Sequence, residues 1–248
     1  MIFAMGAGDR LIAAGSYDHY PPEVERLPRV GALLDPNVER ILTLKPDLVV
    51  VYDTQTDLRS QLERAGIPMY LYAHRGLSDI TATIRSLGTR VGVAGSANAL
   101  AARIERRIDA VRARVANRPR PRALLVFGRD PGSLRNIDAS GGVGFLHDML
   151  LAAGADDVLD DQRRQSVMLS TEGILTLAPD VIIELKYSAK LSVAQIQHEL
   201  EAWNELPSVP AVRTHRVYLL EGDDLVVPGP RVADAIERLS RVVQPQVW

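Results

Sequence analysis

The sequence predicts an α/β protein of two lobes, each with a mainly parallel sheet flanked by helices, joined by a single long α-helix. Two observations carry this prediction: a helix–proline–strand unit occurs twice, and a long amphipathic stretch without proline lies between the copies. A chain of 248 residues is long enough to form two such lobes.

The repeat relates Ile41–Val50 to Ile174–Ile183, an offset of 133 residues. Each copy predicts a short helix, over 38–44 and 171–177, that ends before a proline because proline cannot continue a helix. A run of aliphatic residues then follows in each copy. Such runs are typical of parallel strands that helices cover on both faces.

The elements that flank the repeat also match. Asn37 and Ser170 stand where N-caps are expected. The predicted strand, helix and strand that follow are 48–52, 57–65 and 68–72 in the first copy and 181–185, 193–203 and 216–220 in the second. This alternation predicts an N-terminal lobe over 1–76 and a C-terminal lobe over 121–248.

Residues 77–120 are expected to join the lobes through one long helix over 96–117. Apolar residues recur there at helical spacing, at Leu100, Ile104, Ile108, Val111 and Val115. Ser96 is placed to cap this helix, which would be about 33 Å long. A strand over 123–127 is predicted to open the C-terminal lobe, and a helix over 230–243 to close it.

The first residues resemble the end of a helix. We expect residues 1–6 to be helical, with a glycine cap at Gly6 or Gly8 before a strand over 11–14. The start has neither the basic segment nor the apolar stretch of a signal peptide. A start in mid-helix suggests that an upstream strand is missing, through a shortened chain or a misplaced gene start.

Composition excludes several classes of function. With 31 acidic and 29 basic side chains, the chain has no electrostatic case for binding nucleic acid. It contains no cysteine, which excludes disulfides, thiolate nucleophiles and cysteine-ligated metal centres. No nucleophile elbow, Walker loop or zinc-protease motif is present, so no catalytic residue, resident metal or cofactor is predicted. The glycines of 141–144 fit a tight turn better than an anion site.

Ligand contacts are better sought at the carboxyl ends of the predicted parallel strands, where open α/β sheets bind their ligands. The candidates are Tyr17, His19, Tyr52 and Asp53 in the N-terminal lobe and Arg129, Arg163, Tyr187 and Asp224 in the C-terminal lobe. Ordinary loop composition would also place such residue types there, so the pattern alone leaves both interpretations open.

The chain resembles the periplasmic substrate-binding proteins of ABC importers for vitamin B12, ferric siderophores and haem. The resemblance lies in 6–11, 16–22, 37–52, 127–132, 141–154, 207–220 and 228–231. It implies a monomeric, non-enzymatic protein, periplasmic or lipid-anchored outside the cytoplasm, that holds its ligand in a cleft between the lobes. It also implies docking on a membrane permease through acidic side chains, for which Asp57 and Glu199 are the candidates.

The resemblance does not choose the ligand. Tyr52 stands where a vitamin B12 binder would be expected to carry tryptophan. Tyrosine and histidine would suit haem, and arginine with tyrosine would suit a siderophore. Two alternatives from other classes remain: a two-lobed transferase acting on a nucleotide, which needs a phosphate loop at 128–133 or 141–144, and a zinc or manganese receptor, for which the five histidines lack ligand spacing.

Overall fold

A computed structural model describes residues 1–187 and 191–248. The chain forms two compact units, each with its own sheet and core. The first unit comprises Met1–Ala73 with Thr81–Ala101, and the second comprises His74–Ile80 with Ala102–Trp248.

The first unit contains a two-stranded parallel sheet. Its elements are α1 (Val38–Leu44), β1 (Val49–Tyr52), α2 (Thr56–Arg64) and β2 (Met69–Tyr72). The two strands pair in register from Val49 with Met69 to Tyr52 with Tyr72. Both strands therefore end together, and their two terminal tyrosines lie side by side. Ile41, Val51, Leu58 and Leu62 form the core between the strands and helices.

Two helices, α3 (Leu77–Arg90) and α4 (Ala94–Val115), are shared between the units. The predicted long helix is present as α4, and its apolar stripe from Leu100 to Val115 is buried. It begins two residues earlier than expected, so the prediction that Ser96 caps it is wrong. The Ser96 hydroxyl instead donates to the carbonyls of Met5 and Val93.

The second unit contains a six-stranded mixed sheet. Its elements are β3 (Arg122–Gly128), β4 (Ile137–Ser140), α5 (Phe145–Ala152), β5 (Asp156–Asp157), β6 (Ser166–Leu169), α6 (Thr171–Leu177), β7 (Val181–Lys186), α7 (Val193–Glu201), α8 (Pro210–Arg213), β8 (Val217–Glu221) and α9 (Val232–Val243). The strand order is β6-β4-β3-β7-β8, with β5 also paired to β3. The strands β3, β5, β7 and β8 are parallel, whereas β4 runs antiparallel to β3 and β6.

The repeat is confirmed element by element. The helices α1 and α6 have the predicted bounds, and the Asn37 and Ser170 side chains accept hydrogen bonds from the amides of Arg40 and Gly173. Each helix ends on a left-handed residue, Lys45 with φ 48° or Ala178 with φ 45°, immediately before the proline. The strands β1 and β7 belong to different sheets, as two separate lobes require.

Two sequence expectations fail in the first unit. β7 is buried from Val181 to Leu185, but β1 is covered only in part, because it has one neighbouring strand and exposes Val50. The strand expected over 11–14 is absent, and Ala14 forms only an isolated bridge to Arg29. At the start, a 3₁₀ helix over Phe3–Met5 ends on the predicted glycine cap, Gly6 with φ 81°.

Candidate functional site

A tyrosine pair marks the carboxyl end of the sheet in the first unit. The rings of Tyr52 and Tyr72 meet edge to face, with centroids 5.1 Å apart and planes at 77°. Burial raises the pKa of the Tyr72 phenol above 10, and the nearby Asp18 carboxylate raises it further. Tyr72 therefore keeps its proton at neutral pH and offers a hydroxyl, not a phenolate.

The loop that carries Tyr17 and His19 is held beside this pair. The Ser16 amide donates to the Gly31 carbonyl at 2.8 Å, and Arg29 donates to the carbonyls of Gly15 and Asp18 at 2.9 and 2.7 Å. Tyr17 is 71% exposed and is available to a ligand.

The imidazole of His19 is already engaged in this loop. Its Nδ1 lies 2.6 Å from Glu25 Oε1, and the same carboxylate pairs with Arg29. These contacts, the hydrogen bond to His19 foremost, lower the pKa of Glu25 below 4.5. A ligand that bound through His19 would have to displace Glu25.

A second loop reaches the same end of β1. We call residues 31–36 the leucine loop, because its tip carries Leu33 and Leu34. Gln55 links the loop to the strand: its Nε2 donates to the Leu33 carbonyl at 2.8 Å, and its Oε1 accepts from the Tyr52 amide at 3.1 Å. Gly31 has φ 90°, and a Cβ there would lie 2.3 Å from the Asp35 carbonyl oxygen, so the loop requires glycine.

Asp53 and Asp57 follow the tyrosine strand. The Asp53 amide donates to the Tyr72 carbonyl at 2.9 Å, which continues the strand pairing by one residue. Asp57 lies in the first turn of α2 with an exposed side chain, where the helix dipole favours a carboxylate. Asp57 thus presents a charge to solvent.

In the second unit, β3, β7 and β8 end at Gly128, Lys186 and Glu221. Tyr187 follows β7 with an exposed side chain. Asp224 follows β8, but Arg238 holds its carboxylate in a two-pronged contact at 3.1 and 3.0 Å. Of these two predicted ligand residues, Tyr187 is exposed, whereas Asp224 is already paired with Arg238.

The structure corrects the prediction for Arg129. Its side chain is 0% exposed and lies 2.9 Å from Glu184 Oε2 and 2.7 Å from Glu199 Oε2. Glu184 also accepts from the Trp203 indole at 3.2 Å and pairs with Lys186 at 2.9 Å. The guanidinium therefore neutralises buried carboxylates within the second unit and cannot serve as a ligand contact.

The prediction for Glu199 fails for the same reason. This carboxylate pairs with Arg129 and accepts from the Gly132 amide at 3.3 Å, with only 11% of its side chain exposed. An acid buried in an ion pair cannot reach a partner protein. The exposed acid of α7 is Glu201, which accepts from Gln197 at 3.2 Å.

Arg163 lies exposed in the loop between β5 and β6. This loop packs on the glycine turn, where a Cβ on Gly141 or Gly142 would lie 2.2 Å from the carbonyl oxygens of Arg164 or Asp160. The amides of Gly141 and Gly142 donate to Gln165 and Gln162. These two amides are thus unavailable to a phosphate. Glycine is present at both positions because the loop between β5 and β6 approaches the turn closely.

Neither a cluster of metal-ligating side chains nor a membrane-spanning helix occurs among the described residues. Among 1–187 and 191–248, no group of three or more histidines, cysteines and carboxylates could hold a metal ion. Over the same ranges, every helix is too short or too polar to cross a bilayer.

Two α/β units with loops at the carboxyl ends of parallel strands are typical of ligand-binding proteins. The model of the family described as periplasmic binding protein matches residues 1–223, and the chain belongs to this family. It is accordingly a non-enzymatic, extracytoplasmic substrate-binding protein of the ABC importer type. Nothing supports the nucleotide transferase.

Similar proteins were found by sequence and by structure. The uncharacterized ABC transporter substrate-binding lipoprotein YvrC of Bacillus subtilis is 26% identical over 254 residues, 99% of this chain and 77% of that protein. The vitamin B12-binding protein of Yersinia pestis is 28% identical over 185 residues, which cover 74% of this chain and 64% of that protein, less than two thirds of its length. The apo periplasmic heme-binding protein RhuT of Roseiflexus sp. RS-1 superposes with a TM-score of 0.81 at 25% identity, covering 100% of this chain and 94% of that one.

Sequence reasoning missed three parts of the first-unit site: the leucine loop, Gln55 and Tyr72. The segment Gly-Ala-Leu-Leu-Asp-Pro carries turn residues around two leucines, a pattern that could have indicated an apolar loop tip. Tyr72 ends the second predicted strand and could have been chosen by the rule that selected Tyr52. Gln55 gave no such signal, since its role depends on the loop it contacts.

Proposed function

We propose that this protein captures a corrinoid, haem or ferric siderophore and delivers it to a membrane permease. The observation that carries the proposal is the tyrosine pair of the first unit, flanked by exposed apolar loop residues, in a chain that belongs to the periplasmic binding protein family. Large planar or methyl-rich metal chelates bind through aromatic and aliphatic surfaces of this kind. The vitamin B12-binding and heme-binding relatives support the choice of ligand class.

The proposed contacts come from the strand-end loops of each unit. Tyr17 and Tyr52 offer rings and hydroxyls, and Asp53 offers a carboxylate. From the second unit we propose the exposed Tyr187 and Arg163. His19 and Asp224 would join only if the ligand displaced Glu25 or Arg238, so they rank behind the others.

Docking on the permease is proposed to use one exposed acid from each unit, Asp57 and Glu201. Both lie on the helix that follows the first strand of the repeated unit, α2 or α7. Exposed carboxylates steer association with a basic partner. Glu201 replaces Glu199 in this role because it reaches solvent.

We further propose that the protein acts as a monomer outside the cytoplasm, either free in the periplasm or held at the membrane by a lipid anchor. The similarity to a substrate-binding lipoprotein over 99% of this chain supports the extracytoplasmic location.

The test is non-denaturing mass spectrometry of the purified chain after exposure to equal amounts of cyanocobalamin, haemin, ferrichrome, ferric enterobactin and ATP. We expect a one-to-one complex with a metal compound and none with ATP. Retention of ATP alone, or of no compound at all, contradicts the proposed function. Titration of Tyr52 variants with the retained compound then locates its binding site.

A further inference from the structure

A histidine of the second unit lies between two carboxylates. His147 belongs to the first turn of α5 and is buried, and its Nδ1 lies 2.9 Å from Asp157 Oδ2. Its Nε2 faces Asp160 Oδ1 at 3.5 Å. The Asp157 side chain is 1% exposed, whereas 73% of the Asp160 side chain is exposed. One ring nitrogen therefore faces the interior of the second unit, and the other faces a surface loop.

The loop that carries Asp160 also carries Arg163. We call residues 158–165 the arginine loop. The Leu159 amide donates to Asp157 Oδ1 at 2.9 Å, so Asp157 fixes the start of this loop. The two amides of the glycine turn hold its far end. Between these two attachments, the side-chain contact of Asp160 is the one made with the His147 ring.

The protonation state of His147 decides whether its contact with Asp160 is attractive. A neutral imidazole has one N–H group, and Asp157 accepts it at Nδ1, so Nε2 presents only a lone pair to the Asp160 carboxylate. An imidazolium has an N–H group at both nitrogens and donates to both carboxylates. The separation of 3.5 Å is longer than the usual hydrogen-bond range of about 2.7–3.2 Å, so protonation should draw Asp160 inward.

The other charged side chains of the elements around α5 are engaged elsewhere or exposed. The helix packs against α9, β5 and β3, and β3 is apolar where it is buried. The charged side chains of α9 contact Arg107, Asp224 or the Trp248 ring, Asp156 of β5 pairs with Arg120, and Asp148 of α5 accepts from the Leu77 amide. The exposed charged residues of the arginine loop are Asp160, Asp161, Arg163 and Arg164. Within the part of the chain that the structure describes, the carboxylates paired with His147 are thus Asp157 and Asp160.

We propose that His147 is a pH-sensitive clasp of the arginine loop. Protonation ties Asp160 to α5 and holds the loop, and deprotonation releases this contact. Imidazole is the side chain that ordinarily titrates between about pH 5 and pH 8. On the basis of the proposed function, a held loop keeps Arg163 in place and reduces the entropy that ligand binding must overcome, so capture is tighter toward the acidic end of this range.

The experiment is hydrogen exchange of the whole chain without ligand, at about pH 6 and about pH 8. Labelling times are scaled to the chemical exchange rate at each pH, so that protection alone is compared. We expect the peptide over 158–165 to be about threefold to fivefold better protected at the lower pH, which is the effect of an ion pair with one exposed partner.

Variants of the exposed Asp160 separate the clasp from general effects of pH. An amide accepts from an imidazolium and donates to a neutral imidazole, so Asp160→Asn should hold the loop equally at both pH values. Asp160→Ala should leave the loop equally exposed at both, and His147→Gln should also remove the pH dependence. The exposed His198→Gln is the matched control and should retain it.

Protection of 158–165 that is the same at both pH values in the unaltered chain overturns the proposal. A pH dependence that persists in Asp160→Ala or in His147→Gln overturns it as well. Titration with the compound retained in mass spectrometry tests the consequence for capture: its affinity should be about threefold higher at the lower pH in the unaltered chain and equal at both in Asp160→Asn. If the chain binds no metal compound, the proposed function fails, whereas protection measured without ligand still decides the clasp.

Discussion

At the scale of single residues, the second unit contains a cluster of buried charges around Arg129. Arg129 and Lys186 face Glu184 and Glu199, so the cluster is neutral overall. Removing one partner of a buried pair leaves an uncompensated charge, which typically costs about 3–5 kcal/mol. We expect Arg129→Met to lower the free energy of unfolding by about that amount, measured by urea denaturation.

The control for this prediction is Arg112→Ala. Arg112 pairs with Asp109 at 3.2 Å, but both side chains are more than half exposed, and such surface pairs contribute about 0–1 kcal/mol. Similar losses in the two variants would show that the Arg129 cluster contributes no more than a surface pair. A cluster that serves packing alone would also tolerate Arg129→Lys, whereas the two-carboxylate geometry requires the guanidinium.

Substitutions of the single residue Tyr52 test the proposed ligand site. Its ring is fixed by Tyr72, so Tyr52→Phe removes the hydroxyl and keeps the face, whereas Tyr52→Ala removes both. Titration with the compound found by mass spectrometry should show at least about a tenfold loss of affinity for Tyr52→Ala. A corrinoid or siderophore should tolerate phenylalanine better than alanine, and a haem bound through the phenolate should lose affinity in both variants. Unchanged affinity in Tyr52→Ala would remove the best-supported contact from the proposed site.

Tyr52 and Arg129 both lie at the ends of strands but have different environments. The position of Tyr52 at the end of a strand predicts a ligand contact, and the structure places it beside a second tyrosine. Arg129 follows a strand in the same way but turns inward, because Glu184 in the middle of β7 requires a cation. A glutamate inside an otherwise apolar strand is a signal of a buried pair, and it was present in the sequence.

At the scale of elements, a substitution at the junction of helix, proline and strand should make the protein more stable. Ala178 ends α6 with φ 45°, a conformation that costs an L-residue about 1–2 kcal/mol and costs glycine almost nothing. After the greater unfolded-state entropy of glycine is subtracted, Ala178→Gly should stabilise the protein by about 0.5–1 kcal/mol. Ala65→Gly is the matched control, because Ala65 ends α2 in a right-handed conformation with φ −82°. Thermal denaturation should show opposite shifts, and a lower melting temperature for Ala178→Gly would contradict the argument.

Elements with a strong local pattern were the predictable ones. The caps, prolines and apolar periods of α1, α6 and α4 placed these helices within two residues of their observed bounds. The strands β4 and β6 were missed, because short antiparallel strands with mixed polar and apolar residues carry little pattern of their own. They form through pairing with β3 and with each other, which a single sequence does not display.

At the scale of the whole molecule, stability should depend on pH through the partly buried His74 and the buried Asp157. Burial lowers the pKa of the His74 imidazole below 6.5, so its contribution is present above pH 6.5 and falls as the unfolded chain takes up a proton at lower pH. Burial raises the pKa of Asp157 above 3.8, which has the opposite sign, since acidification then favours the folded state. The melting temperature should fall from about pH 7.5 to about pH 5.5, and less steeply in His74→Gln. The exposed His198→Gln is the control, and an unaltered slope in His74→Gln would exclude His74 as the source.

The two units should also differ in local stability, and the repeat supplies an internal control. In the second unit, β7 is buried throughout and hydrogen-bonded on both sides by β3 and β8. Within the part of the chain that the structure describes, its counterpart β1 pairs only with β2, and it rests on a smaller core. Opening β1 therefore exposes less apolar surface and breaks fewer hydrogen bonds, so it requires less free energy.

Hydrogen exchange measured by mass spectrometry should show slower exchange in the peptide over 174–185 than in the matching peptide over 41–52. Bound ligand should slow exchange more in the 41–52 peptide than in the 174–185 peptide, because Tyr52 and the loop held by Gln55 lie at the end of the 41–52 segment. Equal protection of the two peptides without ligand would show that the small sheet is stabilised by contacts beyond its own core.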